Sequence, residues 1–287
     1  MPELPDLVYI EKKLRPLIRE KQIREVVVFE PIVLRVGVPG SFSEVLRGLE
    51  ICELRRHGPF LVFGIPPLEM IVHFMLAGFF RLRDQESGSG QKGKRMGRDH
   101  CFSLLLSEQM SLLYFDSRRM GKIYIVEAGD TAAIPGFNTQ GIDPLSPAFT
   151  LQLFKERIRD RRPQVRVFLM DQSVLSAVGN AYADEILFDA RIHPKTRCDQ
   201  LGEQQVESLF RSIVSVLNRG VEAVEQADRG IDVKMRDHMK VRNRKGLACP
   251  ACGTKIRRTG VLGYDSFFCP KCQPELRSGL VSWEKLS

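Results

Sequence analysis

The sequence predicts a multidomain α+β protein: an N-terminal antiparallel β-sandwich led by a helix, then a helical domain, then a C-terminal β-hairpin finger closed by a metal. Three observations carry this. Short apolar runs bounded by turn residues fill the first 135 positions, helical spacing takes over after residue 149, and two C-x-x-C pairs stand between residues 249 and 272.

The elements follow in chain order. Residues 6–19 (DLVYIEKKLRPLIR) place Leu7, Val8, Ile10, Leu14, Leu17 and Ile18 at roughly helical spacing, so an amphipathic helix opens the chain. Seven β-rich runs come next: IREVVVF, VLRGLEICELRRHG, FLVFGI, MIVHFMLAGFFRLR, CFSLLLS, MSLLYFD and KIYIVEA. Their lengths and intervening turn residues fit an antiparallel sandwich or barrel. Residues 85–99 (QESGSGQKGKRMGRD) combine Gly and Ser with four basic residues and read as a mobile, cationic loop. The Gly- and Pro-rich stretch GFNTQGIDPLSPAF marks a linker. Beyond it, LQLFKERIRDR, VRVFLMDQSVL, NAYADEILFDA and EQQVESLFRSIVSVLNRGVEAVEQ carry helical periodicity. The expected division is a β-sandwich domain over 1–135, a linker over 136–148, a helical domain over 149–236, and a finger with its tail over 237–287.

Composition narrows the class. Lys and Arg exceed Asp and Glu by 8, so a polyanionic partner is plausible. No run approaches the roughly 18 uninterrupted apolar residues of a membrane helix. The first residues, with Glu3 and Asp6, lack the basic-then-apolar order of a secretory signal. The expectation is a cytoplasmic, monomeric protein that spans no membrane.

The most specific motif is Cys249-x2-Cys252-x16-Cys269-x2-Cys272. Four thiolates at this spacing close a tetrahedral zinc site and leave no position open for water, so one structural zinc ion is expected. Across residues 236–273 there are 9 Lys or Arg against 2 Asp or Glu, which suits a finger that contacts phosphates. The second motif is the N-terminus, Met1-Pro2-Glu3-Leu4-Pro5-Asp6. Removal of Met1 would leave Pro2 as a free secondary amine. An α-amine has a pKa of roughly 8, so a sizeable fraction is neutral near physiological pH. Such an amine can attack a sugar carbon and form an iminium, with Glu3 beside it as general acid/base. The same prolines could equally serve only to lead into the helix. The third motif is Val178-Gly179-Asn180-Ala181-Tyr182-Ala183-Asp184-Glu185, followed by Ile192-His193-Pro194. It looks like a turn and a helix start, where backbone N–H groups and Asn180 could hold a phosphate; taken alone, it is equally read as no more than a capped helix.

Together these motifs resemble the formamidopyrimidine-DNA glycosylase and endonuclease VIII family along nearly the whole chain. PELPD resembles the family's PELPE start, VGNAYADEILFDARIHP its helix–two-turn–helix segment, and the four-cysteine finger stands where the family's does. The resemblance implies a base-excision DNA repair glycosylase with AP-lyase activity, acting on damaged double-stranded DNA by base flipping. Pro2 would be the nucleophile and Glu3 the general acid/base. Asn180 would contact the phosphate beside the lesion, assisted by Arg166. Asp116-Ser117-Arg118-Arg119-Met120-Gly121 is similar to the family's DPRRFG loop; Arg118 would face the orphaned base, with Arg119 beside it, and Met120 would wedge into the stack. HFMLAG is similar to the family's HLGMSG and puts Leu76 at the void-filling position. Both replacements keep an apolar wedge able to unstack a base step.

Two departures stand out. Pro59, in Arg55-Arg56-His57-Gly58-Pro59-Phe60-Leu61, replaces the family's β-hairpin lysine, and Tyr264 replaces the finger arginine. Each lost cation removes a phosphate contact of about 1–3 kcal/mol; His57 and Arg258 are the residues placed to compensate. The stretch DRGIDVKMRDHMKV is also short against the loop that caps the extruded base in oxidised-purine enzymes of the family, which points to a divergent branch. Two readings stay open. Intact Pro2, Glu3 and Asn180 favour the enzyme. Pro59 and Tyr264 favour a lesion- or abasic-site-binding member with weak or no glycosylase activity.

Overall fold

The computed structural model describes residues 1–84, 94–107 and 109–275. Residues 85–93 of the expected cationic loop, and the tail from 276 onwards, lie outside the described residues. The chain forms two compact units: Met1–Gly141 with Gly220–Arg236, and Ile142–Arg219 with the segment from Asp237 onward.

In the first unit, α1 (Leu4–Ile18) starts where Pro5 costs no helical hydrogen bond, and Asp6 Oδ2 accepts from the Glu3 N–H at 2.8 Å. Leu4, Leu7, Leu14 and Ile18 form its buried stripe. Then come β1 (Lys21–Val28), β2 (Leu34–Val36), a short α2 (Phe42–Leu46), β3 (Glu50–Ile51), β4 (Glu53–His57), β5 (Phe60–Ile65), β6 (Leu68–His73), β7 (Gly78–Asp84), β8 (His100–Leu106), β9 (Met110–Asp116) and β10 (Lys122–Glu127). They build two five-stranded sheets, ordered β3-β1-β8-β9-β7 and β2-β10-β6-β5-β4. The expected sandwich is present with one departure: β2 pairs with β10 in parallel. Part of the expected run 45–58 is also helical, because Ser41 and Glu44 form a reciprocal capping box that nucleates α2.

All seven residues of the central strand β8 are buried, and Phe63, Phe74, Phe80, Phe102 and Tyr114 interlock by edge and stacked contacts with ring centroids 5.2–6.3 Å apart. Gly78 pairs with Asp116, and His73 pairs with Lys122, so the β6–β7 and β9–β10 loops leave the same edge of the sandwich side by side.

In the second unit, α3 (Leu151–Ile158) begins at Thr150, whose hydroxyl accepts from the Leu153 N–H. A helix–two-turn–helix comes next: α4 (Val165–Met170), the turns of residues 171–178, and α5 (Asn180–Asp189). Gln172 staples the turns, donating to the Met170 and Val178 carbonyls and accepting from the Ala177 N–H. The long α6 (Glu203–Ala227) packs Leu209, Ile213 and Leu217 into a core with Phe154, Phe168, Tyr182 and Ile186; its last turns, from Gly220, belong to the first unit. A two-stranded hairpin, β11 (Arg257–Val261) with β12 (Tyr264–Phe268), forms the finger. Among the described residues, no helix is long and apolar enough to cross a membrane.

Candidate active site and metal centre

The first unit holds a cavity of about 200 Å³ walled by Pro2, Asp6, Tyr9, Phe79, Ile231 and Lys234, among others. Pro2 and Glu3 are both buried, at the start of α1. That start is anchored from far along the chain. The Asp6 carboxylate accepts two hydrogen bonds from the Arg236 guanidinium, at 2.7 and 2.6 Å, in addition to the Glu3 N–H. A fork-to-fork pair of this kind fixes orientation as well as position. The chain's α-amine, here that of Met1, donates to the Leu76 carbonyl at 3.2 Å, and Lys234 Nζ donates to the same oxygen at 2.8 Å. Burial, reinforced by the positive charge of Lys234, pushes that amine down to about 5. The cavity thus brings Pro2, the Asp6 carboxylate and Lys234 together between apolar walls, with Glu3 next to Pro2 in the chain.

The two adjacent loops carry Leu76 and Met120, the residues expected as wedges. Leu76 is 47% exposed in the β6–β7 loop and Met120 is 42% exposed in the β9–β10 loop. The latter loop is built on the fully buried Asp116, whose Oδ1 accepts from the Arg118 N–H and Oδ2 from the Gly121 N–H. Gly121 cannot be anything larger, since a Cβ there would strike the Tyr114 hydroxyl. Arg118 is exposed, while Arg119 pairs with Glu30 at 3.1 Å. His57 sits at the β4–β5 turn with Nε2 at 2.8 Å from the Phe137 carbonyl and its ring against that of Phe137. That nitrogen is therefore engaged within the unit.

In the second unit the central feature is a buried charge cluster. Asp184 accepts from Arg166 Nε at 2.9 Å, Arg242 at 2.7 Å, the Ser266 hydroxyl at 2.7 Å and the Phe267 N–H at 3.2 Å. Arg166, 1% exposed, also donates to Asn180 Oδ1 at 2.8 Å and to the Asp265 carbonyl at 3.0 Å. With its oxygen facing the arginine, Asn180 at the first turn of α5 turns its amide NH2 the other way. The neighbouring Glu185 accepts from the backbone N–H groups of Lys240, Val241 and Arg242, fastening the approach to the finger; its carboxyl is raised by burial. Arg258 pairs with Asp265 at 3.1 Å, and Tyr264 is 55% exposed beside the hairpin turn.

The four cysteines converge. Their sulfurs all lie within 4.8 Å of one another, with Cys252–Cys269 at 3.4 Å and Cys249–Cys272 at 3.9 Å. A tetrahedron of zinc–sulfur bonds of about 2.3 Å has edges of about 3.8 Å, so the donor set fits a structural zinc ion. Phe188, Val241, Ile256 and Phe267 pack around the sulfurs. Motif reading singled out Pro2, Glu3, Arg166, Asn180 and the cysteines. It gave no role to Asp6, Asp184, Glu185, Lys234, Arg236 or Arg242. Asp6, Asp184 and Glu185 stand inside the motifs without a role, and Lys234, Arg236 and Arg242 are basic residues in a polar stretch.

Comparisons with known proteins agree along the chain. Residues 1–123 match the model of the formamidopyrimidine-DNA glycosylase N-terminal domain, residues 140–231 its H2TH domain, and residues 246–274 the zinc finger found in FPG and IleRS. A formamidopyrimidine-DNA glycosylase of Symbiobacterium thermophilum is 32% identical over 280 residues, covering 96% of this chain and 90% of that one. The crystal structure of the MutM (Fpg) protein from Thermus thermophilus superposes with a TM-score of 0.81 at 31% identity, over 96% of this chain and 100% of that one. A complex of Lactococcus lactis Fpg with DNA containing an abasic site superposes at 0.83 with 25% identity, over 95% and 100%.

Proposed function

The chain belongs to the formamidopyrimidine-DNA glycosylase family, and from that premise we propose that it releases damaged bases from duplex DNA and cleaves the resulting site through its own N-terminal amine. The observation that carries this reading is the anchored N-terminus: Pro2 lines a cavity, and the helix start behind it is clamped by the Asp6–Arg236 pair. A nucleophile held in one geometry avoids much of the entropic cost of bimolecular attack.

The reaction begins with Met1 removed, because an acylated proline nitrogen has no lone pair to give. Glu3 first protonates O4′, and the C1′–O4′ bond breaks as the lone pair of the base nitrogen moves onto C1′. The Pro2 lone pair then forms a bond to C1′, returning that pair to the base nitrogen. The base leaves with the C1′–N electron pair and the proton that the amine sheds, and the proline lone pair completes the iminium. Loss of the C2′ proton and departure of the 3′ phosphate with its C–O electron pair cleave the strand. Water hydrolyses the iminium and restores the amine. Asn180, oriented by Arg166, supplies a donor for a backbone phosphate, while Leu76, Arg118 and Met120 fill the space the damaged nucleotide vacates.

Glu3→Gln tests this. Base release from oxidised-base duplexes should fall by about 10²–10⁴-fold, while strand cleavage at a preformed abasic site is largely kept. Loss of both steps together would refute the division of roles. The replacements at Pro59 and Tyr264 favour a second reading, binding without base release. Tight binding to every lesion tested, with no base released from any, would establish it.

A further inference from the structure

Two nitrogens share one acceptor in the first unit. The α-amine of Met1 and Lys234 Nζ both donate to the Leu76 carbonyl, so they lie no more than about 6 Å apart, and the Pro2 nitrogen that becomes the α-amine on loss of Met1 stands one residue further along. Lys234 also lines the cavity that Pro2 lines. Lys234 takes no part in the bond-making and bond-breaking steps assigned to Pro2 and Glu3. The titratable groups around the pair are Glu3 and Asp6 on α1, His73 and Asp116 from the sandwich edge, and Arg236 beyond Lys234. Asp6 is taken up by Arg236, and His73 is held neutral by burial. Of the charges facing the amine, Glu3 favours an ammonium, while Lys234 and, more weakly, Arg236 disfavour it.

We propose that Lys234 is the positioning residue that keeps the N-terminal amine unprotonated, and so nucleophilic, at neutral pH. The inference rests on the reading of Pro2 as nucleophile. Its physical basis is repulsion between like charges inside a partly desolvated wall, the device that activates amine nucleophiles beside a second cation. The carbonyl of Leu76 completes it. It accepts from Lys234 Nζ and so holds that positive charge at the N-terminus, on the wall that Pro2 shares. The same carbonyl belongs to the loop that carries the exposed Leu76 side chain.

At a separation of about 6–9 Å and an effective dielectric constant near 20, a unit charge moves a neighbouring amine by about one to two pH units. The test uses full-length protein whose loss of Met1 is verified by mass. One arm follows the Pro2 ring by ¹³C NMR through a pH titration of the free protein. The other measures single-turnover borohydride trapping on abasic-site duplex over the same range. Wild type should titrate below the ordinary α-amine value of about 8. Lys234→Met should raise the midpoint by about one to two units in both arms, leaving the high-pH trapping plateau within about threefold. Lys234→Arg, which keeps the charge, should stay within about half a unit of wild type. A Lys234→Met variant that traps more slowly at every pH with an unmoved midpoint would overturn the proposal and make Lys234 a packing residue. If the NMR midpoint moves while wild type traps nothing at any pH, the electrostatic effect of Lys234 stands and the reading of Pro2 falls.

Discussion

Asp184→Ala would take the acceptor away from two arginines at once. The side chain is fully buried, as is Arg166, and the carboxylate is the shared partner of Arg166, Arg242, Ser266 and the Phe267 N–H. Removing one member of a buried ion pair leaves an uncompensated charge in a poorly solvated place, at about 3–5 kcal/mol. The Ser266 and Phe267 donors also lose their partner, but they share the same site and do not add in full. With a urea dependence of roughly 2 kcal/mol per M, the transition of the helical and finger unit should move down by about 1.5–2.5 M. Urea unfolding followed by circular dichroism at 222 nm reads this directly. A control separates charge from shape: Arg166→Met combined with Asp184→Leu should recover a large part of the loss, because an apolar pair of similar volume replaces buried ions at little net cost. A loss below about 1 kcal/mol for Asp184→Ala would refute the reasoning, since it would mean that water reaches Arg166.

Purified protein should carry one zinc ion per chain by elemental analysis, and Cys269→Ser should lose the metal and duplex binding together; full DNA affinity in metal-free protein would contradict the assignment. Acid should destabilise the first unit. Burial, with Lys122 and the α-amine, pushes His73 down to about 4, so the unfolded chain binds more protons between that value and about 6.5. The contribution is therefore complete above about pH 6.5 and is lost as pH falls toward 4, at up to about 1.4 kcal/mol per unit. His73→Gln should flatten the pH dependence of the urea midpoint over that window, and an unchanged slope would count against it.

Much of the fold could be read from local pattern. The apolar period of α1, the turn-bounded runs of the sandwich and the spacing of the four cysteines are short-range signals, and the structure realises each. The parallel β2–β10 pair was not legible, because a three-residue run such as Leu34–Val36 carries no period. Helix α2 carries a local signal that the reading of 45–58 as β-rich leaves out: Ser41 and Glu44 stand at capping-box spacing. At the candidate site the division is similar. Pro2 and Asn180 sit in recognisable motifs, but the groups that hold them come from elsewhere. Arg236 reaches Asp6 across 230 positions, and Arg242 reaches Asp184 across 58. Such partners are chosen by the tertiary fold, and a lone basic residue in a polar stretch gives no sign of which carboxylate it will meet.

The central claim is that the chain's own α-nitrogen attacks the sugar. Its most direct test is borohydride reduction of Met1-free protein on duplex DNA containing an abasic site, with protease digestion and mass mapping of the cross-linked peptide. The account predicts a single adduct on the nitrogen of Pro2, absent when the N-terminus is blocked by an extra residue. An adduct mapped to a lysine, or one that forms equally well with the blocked protein, would contradict it.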